Sequence, residues 1–380
     1  MTMRGGSDSD RQGDGGNAGP VRLQNVQGLR ALAAALVVFV HLSGSDGLLA
    51  MSFGVDPFRL MHAIGNAGVD LFFTISGLIM IVTTSRTKHT PASAGRFLLR
   101  RIVRIYPPYI AVTLVLFAQR ELFPTGPIWP GDLLPSLLLL PQVGVPILFV
   151  GWTLVYEMYF YLVFTVSLFL PRRLQPFVFA AWAALIVTLA CTIAPTAGNP
   201  VLSLIGSPLS LEFLFGALVG WLVLRGQLRL PWAAVITGVA GILATHFLLA
   251  GPEVSVTDAW FRTLGVGVPA ALILYGCVGL ESRGFLLPAA VNRFGDSSYA
   301  LYLVHAPVLA AIGTVAYRLP HTALSAVCVG LAAAAVCFVV ALGFRRWVEQ
   351  PLLDLLQPLT RTRTPDGHIE ENQGLAERNR

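Results

Sequence analysis

Apolar stretches of about 20 residues recur along almost the whole of this 380-residue chain, and that recurrence constrains the fold more than any other feature. Roughly 20 consecutive apolar residues is the length at which an α-helix crosses the hydrocarbon core of a bilayer. Inside lipid every backbone N–H and C=O must find its partner within the segment, so stretches of this length specify helices rather than a β-barrel. Only 12% of the residues are charged and 55% are hydrophobic, against about 25% charged in a soluble domain. The expected fold class is an all-α integral membrane protein with about ten transmembrane helices. The spans fall at about 27–46, 62–84, 106–122, 150–170, 176–195, 207–225, 231–250, 260–280, 297–316 and 322–346. Pro107, Pro108, Pro124 and Pro127 crowd the ends of the third, and a short apolar piece at 132–141 reads as re-entrant or interfacial. Residues 1–24 are expected to form a disordered cytoplasmic tail, 25–351 the transmembrane domain and 352–380 a polar cytoplasmic tail.

The chain carries a net charge of +6 and a pI near 9.4. Nucleic-acid binding is not needed to explain this, because cytoplasmic loops of membrane proteins collect Arg and Lys. With the N-terminus placed inside, the inner segments hold 21 of the 26 Lys and Arg, including Arg86, Lys88, Arg96, Arg100, Arg101 and Arg104. The outer segments hold four, Arg59, Arg120, Arg262 and Arg318, and Arg30 lies within the first span. An error of one span would scramble this asymmetry, so ten spans with both termini cytoplasmic are predicted, in a bacterial-type inner membrane. Ala31–Val40 also has the length of a signal-peptide core. The Asp-bearing tail before it and the anchor sequence after it favour a retained span. Cys191, Cys277, Cys328 and Cys337 lie in apolar runs without metal-ligand spacing and are read as core-filling thiols, outside any disulfide framework.

Ionisable residues inside spans are costly and usually functional. Arg30 and His41 are eleven residues apart with only apolar side chains between, so they share nearly one helix face roughly 16 Å apart. The predicted topology puts His41, Asp70, Glu157, Glu212 and His246, from five spans, at one level in the outer half of the bilayer. Alone in hydrocarbon each is expensive, so a common polar cavity is expected; for Glu212 and His246 an interhelical hydrogen bond is the favoured reading. On the cytoplasmic side Arg96, Arg100, Arg101 and Arg104 precede Tyr106-Pro107-Pro108-Tyr109. Arg forks suit phosphate oxygens, and Arg101 and Arg104 abut the membrane, where a bound anionic cofactor fits; Arg96 reads as a topology signal. No Walker loop, metal cluster or Ser-His-Asp order is present.

Six stretches in order carry a family resemblance. They are Asn25-Val26-Gln27-Gly28-Leu29-Arg30 followed by His41; Gly68-Val69-Asp70 through Phe72-Phe73 to Ser76-Gly77; Arg101-Ile102-Val103-Arg104 with Pro107; Trp152-Thr153-Leu154 through Glu157 to Phe160-Tyr161; Ser298-Tyr299 through Tyr302 and His305 to Pro307; and Val348-Glu349-Gln350-Pro351. With these the chain resembles the acyltransferase-3 superfamily of membrane O-acyltransferases, and within it the exopolysaccharide-production type, over about residues 25 to 351. The resemblance implies an acyl-CoA donor, usually acetyl-CoA, no metal, and a saccharide hydroxyl as acceptor, free or lipid-linked, with membrane lipids as surroundings.

By the same resemblance His41 is the catalytic base, Arg30, Arg101 and Arg104 belong to the donor side, and Glu157 is an essential carboxylate of the cavity. Asp70 or Glu157 orients the imidazole. Ser76, Tyr299 or Tyr302 would donate to a developing oxyanion, and His305 is either part of the site or a packed helix histidine. Two other functions remain open. One is acylation of a small molecule such as a macrolide, because the superfamily includes antibiotic acylases. The other is transport of a lipid-linked glycan, which ten spans with buried charges also fit, although no repeat or pair of broken helices is evident.

Overall fold

The computed structural model describes residues 23–44, 47–122, 131–192, 198–249 and 259–360. The expected tails lie largely outside these residues. The described residues form helices and loops, with no strand among them. Among the described residues ten helices have 14 or more residues: α1 Gln24–Leu42, α2 Ala67–Thr83, α3 Pro91–Leu122, α4 Trp152–Phe169, α5 Gln175–Thr192, α6 Leu211–Leu224, α7 Pro231–Ala244, α8 Val268–Glu281, α9 Ser298–Ala316 and α10 Ala323–Phe344. Eight helical stretches among the described residues are long and apolar enough to cross a membrane, and Pro208–Leu224 and Pro231–Phe247 are shorter apolar helices. These occupy the ten stretches that the sequence marks. The chain is a multi-pass, all-α membrane protein.

Lipid is as apolar as a Leu side chain, so helices in a membrane associate by close packing and polar contacts rather than by hydrophobic burial. α2 and α6 show this most clearly. A Cβ at Gly77 would sit 2.0 Å from the Phe213 carbonyl oxygen, and one at Gly216 would sit 1.8 Å from that of Thr74. Only glycine at both positions lets the two backbones touch. Beside this contact Phe213 stacks on Phe73 and on Phe160, each at 4.5 Å between ring centroids. Such pairs add about 0.5–1.5 kcal/mol each beyond their area. Outward faces carry exposed apolar side chains such as Leu114, Val115, Val166, Phe177, Ile236 and Val339.

Two helices depart from expectation. α3 begins at Pro91 rather than near 106 and runs through Pro107 and Pro108. The two prolines remove the donors that the Val103 and Arg104 carbonyls would take in an unbroken helix. Tyr299 Oη, which donates to the Ile105 carbonyl at 2.7 Å, braces this stretch. Tyr106 and Tyr109, beside the prolines, donate to the carbonyls of Leu138 and Ser136. They thereby pin the short apolar piece, whose helix is Leu133–Leu137, against α3. The last span also continues beyond 346, through a π-helical turn at Arg345–Glu349 and on to Thr360. Pro351 is tolerated because it stands in the first turn of the next helical segment.

The four cysteines are free, but only Cys277 and Cys337 are buried; Cys191 and Cys328 are exposed. Apolar sequence does not distinguish a lipid-facing position from an inner one, so the core-filling reading fails for those two.

Candidate active site

Asn25 anchors the start of α1. Its side-chain amide donates to the Cys277 and Phe285 carbonyls, and its Oδ1 accepts from the Leu287 backbone N–H. This fixes the axial position of the helix that carries Arg30 and His41. Arg30 donates to Gln27 Oε1 at 3.3 Å, and the charges acting on it are those of Arg104, Asp296, Glu157 and Glu349. Arg104 pairs with the buried Glu349 at 3.8 Å, and Arg345 pairs with Asp296 at 3.6 Å. Glu349 is buried at the end of the π-helical turn at 345–349; such turns often mark functional sites. Arg30, Arg104 and Glu349 therefore form one charged group.

A separate cavity of about 310 Å³ lies beside it, lined by Thr83, Thr84, Thr87, Lys88, Ser93, Arg96, Phe97, Arg100 and Arg101. Four cations and four hydroxyls with no carboxylate make an anion site by charge alone. Arg96, expected to mark topology only, belongs to this cavity, and so does Lys88. Arg104 does not. Arg101 lies over the rings of Phe97 and Tyr161, 5.6 and 5.8 Å from their centroids. Tyr161 Oη donates to Glu157 Oε1, and Ser76 Oγ donates to the same oxygen at 2.9 Å. A continuous line of contacts, Arg101–Tyr161–Glu157–Ser76, thus joins the anion cavity to the carboxylate in α4.

His41 stands in the last turn of α1. Its ring meets the edge of Phe149 at 4.9 Å and stacks on His305 at 5.3 Å, with 24° between the planes. His305 is fully buried. Its Nδ1 lies 3.1 Å from the Leu301 carbonyl oxygen, while its buried Nε2 has no hydrogen-bond partner among the described residues. The structure therefore places His305 against the expected base. The expected oxyanion donors are engaged elsewhere. Tyr302 Oη donates to the Val150 carbonyl at 2.6 Å, Tyr299 to that of Ile105, and Ser76 to Glu157. Hydroxyls already committed to strong acceptors are poor candidates for a new charge.

Asp70 is fully buried and is gripped by Arg262, whose Nε and Nη2 donate to Oδ1 and Oδ2 at 3.0 Å each. Arg262 was assigned to an outer loop by position; it is 7% exposed and lies 5.8 Å from the Trp152 ring. One signal in the sequence pointed to it. A carboxylate buried in a span needs a cation, and the outer side offers only four. Glu212 lies against the same pair, with its carboxyl packed on Gly267. Glu212 lies beside Asp70 without a well-aligned hydrogen bond to either of its oxygens, and His246 Nε2 has no hydrogen-bond partner among the described residues. π-helical turns at Thr245–Leu249 and Thr263–Gly267 flank this second cluster, and Thr245 Oγ1 donates to the Gly265 carbonyl at 2.7 Å. No group of three or more His, Cys, Asp or Glu side chains able to hold a metal occurs among the described residues.

Comparisons with known proteins complete the picture. The family profile described as "Acyltransferase domain" matches residues 23–342. The chain is 33% identical over 307 residues to the exopolysaccharide production protein ExoZ of Rhizobium meliloti (strain 1021), covering 76% of this chain and 90% of that protein. It is 28% identical over 377 residues to the acyltransferase MdmB of Streptomyces mycarofaciens, covering 88% and 93%. No solved structure matches it significantly.

Proposed function

The chain belongs to the acyltransferase family matched over residues 23–342, and from that premise we propose that it moves an acyl group from acyl-CoA to a hydroxyl of an exported polysaccharide. It is a membrane-embedded O-acyltransferase. The finer reading is that the ten helical stretches cross a bacterial inner membrane with both ends cytoplasmic, in keeping with the Arg and Lys asymmetry. The donor enters from the cytoplasm. Its phosphates meet Lys88, Arg96, Arg100 and Arg101 in the anion cavity, and Arg30 and Arg104 complete the cationic side of the path. Charge-assisted, forked Arg contacts suit the several phosphate groups of CoA.

His41 takes the proton of the acceptor hydroxyl, whose oxygen forms the new ester bond to the acyl carbon. The C–S bond of the thioester breaks, and the proton ends on the CoA thiolate. A positioned base of this kind contributes about 10²- to 10⁴-fold. Glu157, held by Ser76 and Tyr161, supplies fixed negative charge between the two ends of the path. Acetyl is the expected acyl group. The polysaccharide acceptor is favoured over a small molecule by the likeness to a protein named for exopolysaccharide production.

The observation that carries this reading is the line of contacts from a cationic cavity through Arg101 and Tyr161 to Glu157. Its test is NMR of the extracellular glycan from a deletion strain and its parent. Ester signals missing from the deletion strain and restored by the gene are expected; identical spectra would refute it.

A further inference from the structure

His305 is the least explained group in the molecule. It is fully buried on α9 and far from the anion cavity's residues in sequence. Its ring is stacked on His41 and flanked by Tyr302 at 5.8 Å. A carbonyl oxygen can only accept, so Nδ1 beside Leu301 O must be the protonated nitrogen. The neutral ring therefore presents Nε2 as a bare lone pair. Burying an acceptor without a donor is costly and rare in native proteins, and such an atom calls for an explanation. A packed helix histidine would turn both nitrogens to partners. This one satisfies the nitrogen that fixes its tautomer and leaves the other open, next to the base.

We propose that His305 is the acyl carrier of a two-step transfer in which Nε2 takes the acyl group from the thioester and His41 activates the acceptor that removes it. The inference rests on the acyl-transfer reading above. In the first step Nε2 bonds to the acyl carbon, the C–S bond breaks and CoA thiolate leaves. The result is an acyl-imidazolium that retains its Nδ1 proton against the Leu301 carbonyl. In the second step His41 removes the acceptor's hydroxyl proton, the oxygen attacks the acyl carbon, and the C–N bond breaks to restore Nε2. The proton on His41 then passes to the thiolate or to solvent.

Burial is what each role requires. An acyl-imidazole hydrolyses if water reaches it, and His305 is sealed; the base must meet an acceptor, and His41 is partly exposed. Dividing the work also removes the need for CoA and saccharide to occupy the site together. The carrier can be loaded from one side and discharged to the other. Phe149, partly exposed, packs against the His41 ring at 4.9 Å.

A double-displacement carrier exchanges CoA without any acceptor. The purified full chain is mixed with unlabelled acetyl-, propionyl- or succinyl-CoA and isotopically labelled CoA, and label entering acyl-CoA is measured. Wild type should catalyse this exchange with no acceptor present. Wild type quenched after incubation with acyl-CoA and no acceptor should carry the acyl mass on the peptide containing residue 305. His305→Gln should lose exchange by about 10²-fold or more while keeping its melting temperature and its affinity for acyl-CoA. His305→Asn serves as a second variant if the glutamine does not fold. Undiminished exchange in a folded His305 variant, acyl mass on residue 41 instead, or no exchange by a wild type that acylates glycan would each overturn the carrier. A wild type that exchanges CoA but acylates no glycan would refute the acceptor assignment and leave the carrier standing.

Discussion

Arg262 and Asp70 are joined by two parallel hydrogen bonds of 3.0 Å, with both side chains buried. The pair links the segment before α8 to α2, across 192 residues of sequence. Asp70 belongs to the Gly68-Val69-Asp70 stretch, and both of its oxygens are committed to the guanidinium. The contact ties α2, which also carries Ser76, to the segment before α8.

Removing one member of a buried pair leaves an uncompensated charge and costs about 3–5 kcal/mol. Arg262→Ala should lower the thermal midpoint in detergent sharply. Asp70→Asn combined with Arg262→Gln should recover part of the loss, because it removes both charges. An Arg262→Ala protein that melts like wild type would show that the pair does not hold the fold.

Arg100→Ala with Arg101→Ala should raise the KM for acyl-CoA, and the difference should shrink as salt is added, because these charges line a partly open cavity. Arg104→Ala should raise KM less, since its partner is Glu349. Initial rates at several ionic strengths check this. Equal effects of the two changes would put the donor phosphates at Glu349's end of the group instead.

Ser76→Ala and Tyr161→Phe each remove one donor to Glu157 Oε1. A hydrogen bond to a charged group contributes about 1.5–3 kcal/mol, which corresponds to roughly 10- to 100-fold in kcat/KM. Groups that share one partner are not additive, so the double variant should be no worse than Glu157→Gln. Steady-state kinetics of the four proteins decide it, and a strictly additive double variant would argue that Glu157 is not the shared target.

Gly216→Val forces the α2 and α6 backbones apart, since even a methyl group there would lie 1.8 Å from the Thr74 carbonyl oxygen. Overpacking typically costs about 1–3 kcal/mol, and here the obstacle is backbone. Folded protein recovered from membranes should fall steeply, as read by size-exclusion chromatography. Unchanged recovery would mean that the contact is looser than described.

The helical stretches were legible because bilayer thickness imposes one length on every span and apolar runs show it. The start of α3 was not, since Pro107 and Pro108 argue for a helix end, and the contacts that brace this stretch, from Tyr299, Tyr106 and Tyr109, are tertiary. Arg262 was misplaced because a buried arginine near a span end and a loop arginine look alike in one dimension. Glu349 was visible as part of a motif, but the π-helical turn that it closes is announced by no local pattern. His41 was legible from its isolation among apolar residues. Its contact with His305, 264 positions away, was not, because helix order along the chain does not determine which helices touch.

In the proposed mechanism the His41 imidazole activates the acceptor alcohol. The most direct measurement is transfer of isotope-labelled acyl from acyl-CoA to the glycan acceptor by purified wild type and His41→Ala, each shown to be folded. A fall of about 10²- to 10⁴-fold in the variant is predicted. Transfer at the wild-type rate by a folded His41→Ala protein would contradict the account.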